Sequence, residues 1–427
     1  MKLAYFSPLP PAKTGIATYS SELLPALADH FDITVFTPTP AAQVPAQVTA
    51  VNFVDDPGVL KSVQTFDHAL YHLGNNPYFH LDILRAFLLW PDTVVMHDTV
   101  LYFLAAGGGN GALLRELLQS NPTSAFEAVD EIHRGSPDGN VLRYPVPSKY
   151  PCLTRVLLAA PQVIVHNQAA RHEVEARGYP GVVDVVPLLH YRGADVAFDT
   201  DGRSLRLKHG LQEGCVVFGA FGFIGPTKRL DKVFHAFSRV IVEGRLSNAR
   251  LLVVGEGDSI DELVRERGLE KVVIRIGFVE DGEFRRLLSS VDVVLNLRYP
   301  SHGESSATLI QAMMNGKPCL VTDDASFADL PDNTVVKVGH GVTEVDEIAE
   351  ALIRLAEGRT LRNEIGMAAR RHVLANHAPE QVAAQYRQAL AQRPPTWRAR
   401  AARPQLRAVA GAFAARYLEA RVRSLLP

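Results

Sequence analysis

The chain has 427 residues, of which 47% are hydrophobic and 21% charged, and its net charge is −2. That length exceeds one ordinary core and implies two or three domains of soluble globular character. The near-neutral charge excludes a general nucleic-acid binder, whose affinity would rest on neutralising phosphates. Three scattered cysteines without a CxxC exclude a structural zinc site and fit a reducing compartment.

Short β-branched runs alternate with helical patterns along the chain. Strands are expected at 3–6, 33–36, 48–51, 68–72, 93–96, 163–165 and 183–186, then at 216–221, 250–254, 272–276, 291–295, 319–321 and 335–338. Near-continuous apolar strands separated by helices mean parallel sheets covered on both faces. A polar, unperiodic stretch at roughly 189–207 reads as the linker, and its Asp199-Thr200-Asp201 as a solvated loop. The expected architecture is two doubly wound α/β domains facing each other across a cleft, with ligands at the carboxyl ends of the strands. The apolar run before Pro8 is too short for a signal peptide, and no run approaches the roughly 20 residues that span a bilayer. A cytoplasmic protein is expected. The segment 391–427 is distinct: eight arginines against one glutamate give it +7 and leave −9 on the rest. Leu406, Val409, Phe413, Tyr417 and Ala420 recur there at helical spacing. Such a helix either lies on an anionic membrane surface or packs back on the body with a solvated arginine face.

Four places carry chemistry. After the first strand a proline-stiffened loop runs to Thr14-Gly15, where a glycine opening a helix lets backbone approach a phosphate. Alone, that glycine is ordinary turn chemistry. The run 93–96 leads into His97-Asp98 at a strand's carboxyl end, where a histidine either donates to a ligand or is simply satisfied by a carbonyl. Asn75 and Asn76, ending the preceding strand, are weaker candidates for the same cleft.

In the second half Phe221-Gly222-Phe223-Ile224-Gly225-Pro226-Thr227-Lys228-Arg229 predicts a strand end, a turn and a helix from about Lys228. Two cations in a helix's first turn oppose its dipole unless an anion sits there. A charge-assisted bond to a phosphate, about 1.5–3 kcal/mol, outweighs that penalty. Extension of both side chains into water is the plainer alternative. Finally, 303–318 predicts Ser305 or Ser306 as N-cap, a helix of about three turns, Gly316 at C′ and a buried strand. Glu304 and Gln311 are polar groups that a core does not need; taken alone, the segment is an ordinary capped helix. The GGGNG run at 107–111 follows no strand and reads as a flexible loop, there is no P-loop pattern, and the 15 histidines show no HExxH.

Together these segments resemble the retaining, GT-B-fold glycosyltransferases of family 4 over roughly residues 1–390. The resemblance implies an acceptor-side Rossmann-like domain at 1–188, a nucleotide-sugar domain at 189–375, a returning helix at 376–390 and the basic tail at 391–427. It matches Thr14 and Gly15 to the turn that meets the donor diphosphate, His97 to the histidine near the donor sugar, and Lys228 to the lysine that stabilises the leaving nucleotide. Phe278 and Val279 match the backbone that reads the nucleobase, and 303–311 the paired-glutamate motif, with the helix start at Glu304, Ser305 and Ser306 on the diphosphate. Three positions depart from the pattern. Phe223 stands where the family has arginine, with Arg229 as its replacement; Gly303 stands at the first glutamate, displaced to Glu304; and Gln311 stands at the second. The implied activity moves a sugar from a UDP- or GDP-linked donor to a hydroxyl of a glycan or lipid-linked glycan, in cell-surface polysaccharide assembly, without metal or other cofactor. Two rivals stand: a sugar-nucleotide epimerase on the same fold, and a non-catalytic sugar-nucleotide-binding assembly protein.

Overall fold

A computed structural model describes residues 1–191, 201–211 and 214–392. Strands β1 (Lys2–Phe6), β2 (Asp32–Thr37), β3 (Thr49–Asn52), β4 (His68–Leu73), β5 (Thr93–Met96), β6 (Gln162–Val165) and β7 (Val182–Val185) form one sheet, ordered 3-2-1-4-5-6-7. A second sheet holds β8 (Val216–Phe221), β9 (Ala249–Val254), β10 (Val273–Ile276), β11 (Val293–Asn296), β12 (Cys319–Thr322) and β13 (Val336–Val338), ordered 10-9-8-11-12-13. Every pairing is parallel. The two expected doubly wound sheets are therefore both present, and each expected strand lies within two residues of its place.

Residues of β4, β5 and β6 are buried at every position, because helices cover both faces of the sheet. On one face Phe6, Phe36, Tyr71 and Phe87 pack together; on the other, Tyr5, Leu23 and Leu27 pack with Tyr386 and Leu390. Those last two belong to helix Pro379–Ala391, so the chain returns from the second sheet to the first, and Tyr386 joins Tyr19 by a 2.8 Å hydroxyl–hydroxyl bond. The second sheet is sandwiched between a Phe218–Phe234–Phe237–Leu352 core and a Met313–Met314–Val373 core.

Strand order reverses between β1 and β4 in the first sheet and between β8 and β11 in the second. Crevices open beyond the carboxyl ends of such strands. This brings the loops after β1, β4, β5, β8 and β11 into play as site-builders.

Some local expectations need correction. The glycines at 107–111 are no loop: helix Tyr102–Gly107 ends there and helix Asn110–Ser120 begins, with Gly109 at φ +88° marking the break. The linker's end is helical from Asp201 to Lys208, and residues 192–200 lie outside the described residues, as does the basic segment beyond Gln392. Cys152, Cys215 and Cys319 are all buried and unpaired. Among the described residues no helix is long and apolar enough to cross a membrane.

Candidate active site

Behind β8 the chain turns at Gly222, whose φ of +95° favours glycine. A Cβ there would lie 3.5 Å from Lys228 Nζ and 3.6 Å from Thr308 Oγ1. Gly222 is thus the meeting point of the lysine and the start of helix Ala307–Met314. Lys228 does not open an α-helix, as expected; it ends a 3-10 turn, Pro226–Lys228, and the helix runs from Leu230 to Val242. The turn bends the side chain back toward the strand end, where Nζ donates to the Phe221 carbonyl at 2.8 Å. Burial, and then the Arg298 guanidinium, push its ammonium well below the ordinary lysine value, with Glu304 opposing.

Arg229 does not replace the arginine missing at Phe223. Its φ is +56°, which turns the side chain away from Lys228 onto Glu344, where Nε donates at 2.9 Å and Nη2 completes a two-pronged ion pair. Glu344 is 2% exposed, so this arginine is committed to neutralising a buried carboxylate. Phe223 itself is 73% exposed.

The loop after β11 supplies the rest of this side. Arg298 Nη1 donates to Glu304 Oε1 at 2.8 Å, and Glu304 Oε2 accepts from the His302 amide at 2.6 Å. Burial opposes ionisation of Glu304, but the guanidinium and the loop amides outweigh it and hold the carboxyl below its usual value. Both carboxylate oxygens are therefore spent inside the loop. Glu304 braces the motif rather than standing free for a sugar.

Ser306, not Ser305, is the N-cap: its hydroxyl accepts from Leu309 N at 3.2 Å and donates to Asn296 Oδ1 at 3.0 Å. The helix has eight residues rather than three turns, and Gly316 follows at φ +64°. Capping leaves its earliest amides as open donors beside Gly222. Gln311 lies one turn into the helix, 4% exposed, with neither its amide nitrogen nor its oxygen bonded among the described residues. A buried carboxamide without partners is costly, by about 1–3 kcal/mol.

From the first sheet, Thr14 stands at the N-cap position of helix Gly15–Ala28 without a side-chain capping bond, and among the described residues nothing lies within 4 Å of where a Gly15 Cβ would stand. The approach to that turn is open. His97 is different. Its Nε2 faces His72 Nδ1 at 3.0 Å and its Nδ1 faces His166 Nε2 at 3.1 Å, while His166 Nδ1 faces the Val186 carbonyl at 2.8 Å. The carbonyl only accepts, so each ring must donate through Nδ1 and accept at Nε2 along the chain. The chain ends on His72 Nε2, which is buried without a partner among the described residues. Burial lowers the pKa of all three rings, that of His166 to about 4, so the chain is neutral. No ring nitrogen of His97 is left for a sugar hydroxyl; the sequence alternative of a satisfied buried histidine fits better.

Asp98 follows, its Oδ2 accepting from Asn75 N at 2.8 Å. Burial and the facing Glu304 carboxylate push it up to about 7, against the Asn75 amide and Arg298. Asn75 Oδ1 accepts from Phe103 N at 2.8 Å and Asn76 caps helix Pro77–Leu89, so both side-chain oxygens are held by backbone amides. Across the cleft, Thr99 N and Oγ1 both donate to the His302 carbonyl, at 2.7 and 3.1 Å. Asn167 Nδ2 donates to Gly303 O and Ser305 Oγ, both at 3.0 Å. Lys13 Nζ lies 4.3 Å over the Phe278 ring at the mouth of the cleft, and Val279 packs against the second sheet's core. Arg298, Thr99 and His72 were missed in the sequence. A charged residue two positions past an apolar strand was a usable signal for Arg298; the others depend on pairing across the fold.

The structure is similar to that of HepE from Anabaena in complex with UDP, at 15% identity over 92% of this chain and all of that one, with a TM-score of 0.62. Sucrose-phosphate synthase from Thermosynechococcus elongatus gives 15% identity, the same coverages and 0.64. WaaG, a glycosyltransferase involved in lipopolysaccharide biosynthesis, gives 15% over 89% of this chain and 98% of its own, at 0.59. No curated protein sequence matches the chain. Residues 203–372, which contain Lys228, Arg298, Glu304 and Gln311, match the family of glycosyl transferases group 1. That match covers the second of two facing doubly wound sheets, and the two sheets together have the GT-B-like fold of these structures.

Proposed function

We propose that this glycosyltransferase moves a sugar, with retention of configuration, from a UDP- or GDP-linked donor to a hydroxyl of a glycan or lipid-linked glycan in cell-surface polysaccharide assembly. The observation that carries the reading is the convergence at Gly222 of the Lys228 ammonium and the open start of helix Ala307–Met314. A diphosphate there meets a cation, backbone donors and the positive end of a helix. Gln311, unbonded in the same helix, takes ribose hydroxyls, and the backbone at Phe278 and Val279 takes the base. HepE in complex with UDP and with UDP-glucose supports a uridine donor by likeness of fold.

In this reading the acceptor oxygen forms its bond to the anomeric carbon on the face from which the diphosphate departs. The electron pair of the breaking bond goes to the phosphate oxygen, which also receives the hydroxyl proton. Lys228 and the helix amides stabilise the charge that develops. Two phosphate charges restore the proton affinity that burial takes from the lysine. Glu304 is a positioning group that holds Arg298 and the 301–304 loop, and Asp98 meets the loop from the acceptor side. Residues 1–188 form that side and 189–375 the donor side, with 391–427 resting on anionic lipid at the cytoplasmic face.

Incubation with UDP- and GDP-sugars and candidate acceptors tests the reading, through nucleotide release and the product's anomeric configuration. Acceptor-dependent release with retention is expected. Isomerised donor, or binding without turnover, overturns it in favour of an epimerase or an assembly protein. Liposome flotation of the full chain against one ending at Gln392 tests the membrane contact, and equal binding refutes it.

A further inference from the structure

We propose that Arg298 is the second phosphate-binding cation of this chain, gripping the donor diphosphate together with Lys228 from the adjacent strand end. The proposal rests on the donor reading above and deepens it.

Arg298 stands two residues beyond β11, with its backbone nitrogen fixed to Thr322 Oγ1 at 3.0 Å. Strands β8 and β11 are neighbours at the point where the sheet order reverses, so the loops carrying Lys228 and Arg298 flank one crevice. The charge there does not balance. Lys228, Arg298 and Glu304 all act on one another, and one carboxylate stands against two cations. Asp98, the next acid, is pushed up to about 7 by burial and the Glu304 carboxylate, so near pH 7 it carries only about half a charge. An excess of positive charge in a partly enclosed crevice is unfavourable unless an anion completes it.

The guanidinium is also under-used. It spends Nη1 on Glu304, while Nε is buried with no partner among the described residues. Five donors in a planar fork suit a phosphate, and one ion pair does not exhaust them. The other cations near the cleft are committed elsewhere. Arg229 is paired with Glu344, Lys13 lies over the Phe278 ring, and Lys232 sits 3.7 Å from Asp231. Glu304 thus holds Arg298 through Nη1 alone, and a diphosphate takes up the remaining donors.

The test is titration of wild type, Arg298→Gln and Arg298→Lys with UDP, inorganic pyrophosphate and uridine, with melting temperatures to confirm folding. Glutamine keeps a hydrogen bond to Glu304 but removes the charge. Affinity for UDP and pyrophosphate should fall about tenfold or more in Arg298→Gln, with uridine altered by less than about threefold. Arg298→Lys should recover part of the loss. Equal loss for all three ligands would make Arg298 a loop support and overturn the proposal, as would UDP and pyrophosphate binding that the substitutions leave intact. Wild type that binds pyrophosphate but not UDP refutes the uridine donor alone, and the pyrophosphate series still decides the arginine. Wild type that binds neither overturns both.

Discussion

Restoring the family glutamate at Gly303 should damage this protein rather than improve it. Gly303 has a φ of +78°, and a Cβ there would lie 2.1 Å from Thr99 Oγ1 and 2.7 Å from Thr99 Cγ2. Left-handed backbone costs a residue with a side chain about 1–2 kcal/mol, and forcing atoms into occupied space costs about 1–3 kcal/mol more. The obstacle belongs to the opposite side of the cleft, so the cheapest relief is to separate the two sides. That breaks both Thr99 bonds to His302 and the Asn167 bond to the Gly303 carbonyl. The cost should therefore appear in the closed, reactive form more than in global stability. Gly303→Glu and Gly303→Ala should each lower kcat/KM by about 30-fold or more, from about 2 kcal/mol or above. The melting temperature should shift by only a few degrees. Steady-state kinetics with a saturating acceptor, beside thermal melts, reads both quantities. If Gly303→Glu equals or exceeds wild type in kcat/KM, the steric explanation for the missing glutamate is wrong.

Lys228→Ala should lower kcat by about two orders of magnitude or more through lost stabilisation of the departing diphosphate; near-normal kcat refutes that role. Gln311→Leu should act in two directions, stabilising the empty protein by about 1 kcal/mol through removal of an unpartnered buried amide while raising donor KM about tenfold; denaturant titration and kinetics read the two effects, and lowered stability would show that the amide is satisfied. Arg229→Met should destabilise the fold by about 3–5 kcal/mol, because Glu344 is left buried and unpaired, with the loss appearing in stability rather than donor KM; a raised KM at full stability would restore Arg229 to the phosphate site. Asp98 binds its proton more tightly in the fold, near pH 7, than in the unfolded chain, near 3.8. Its contribution therefore disfavours the fold increasingly as pH rises between those values. Asp98→Asn keeps an acceptor for Asn75 N and should lessen the fall in melting temperature from about pH 5 to 8; parallel curves for the two proteins would refute the shift.

The sheets were legible because each strand is a short apolar run with turn chemistry at its end, a signal that survives without neighbours. Lys228 stood out in the sequence as a cation opposing a helix dipole, but it ends a 3-10 turn ahead of the helix and is not in the first helical turn where that opposition was expected. Where the reading failed, the deciding partner lay far along the chain. Arg229 lies beside Lys228 in sequence, yet its left-handed backbone sends it to Glu344, 115 positions away. Nothing local distinguishes a guanidinium aimed at phosphate from one aimed at a buried carboxylate. His97 likewise reads as a catalytic histidine until His72 and His166, from two flanking strands, close both of its nitrogens.

Alternation of apolar runs and helices by itself determined two parallel α/β sheets, and the spacing of glycines and hydroxyls determined where strands give way to capped helices. These are local choices of backbone conformation and burial, and each residue carries its own share of the answer. Only the tertiary structure decided which polar groups are free. Among the described residues Arg298 keeps unfilled donors, Gln311 has no partner, Glu304 is consumed by its own loop, and Gly303 must be glycine because Thr99 stands against it. The physical reason is that a polar side chain's availability depends on what surrounds it in space, and parallel sheets bring together neighbours that sequence order keeps far apart.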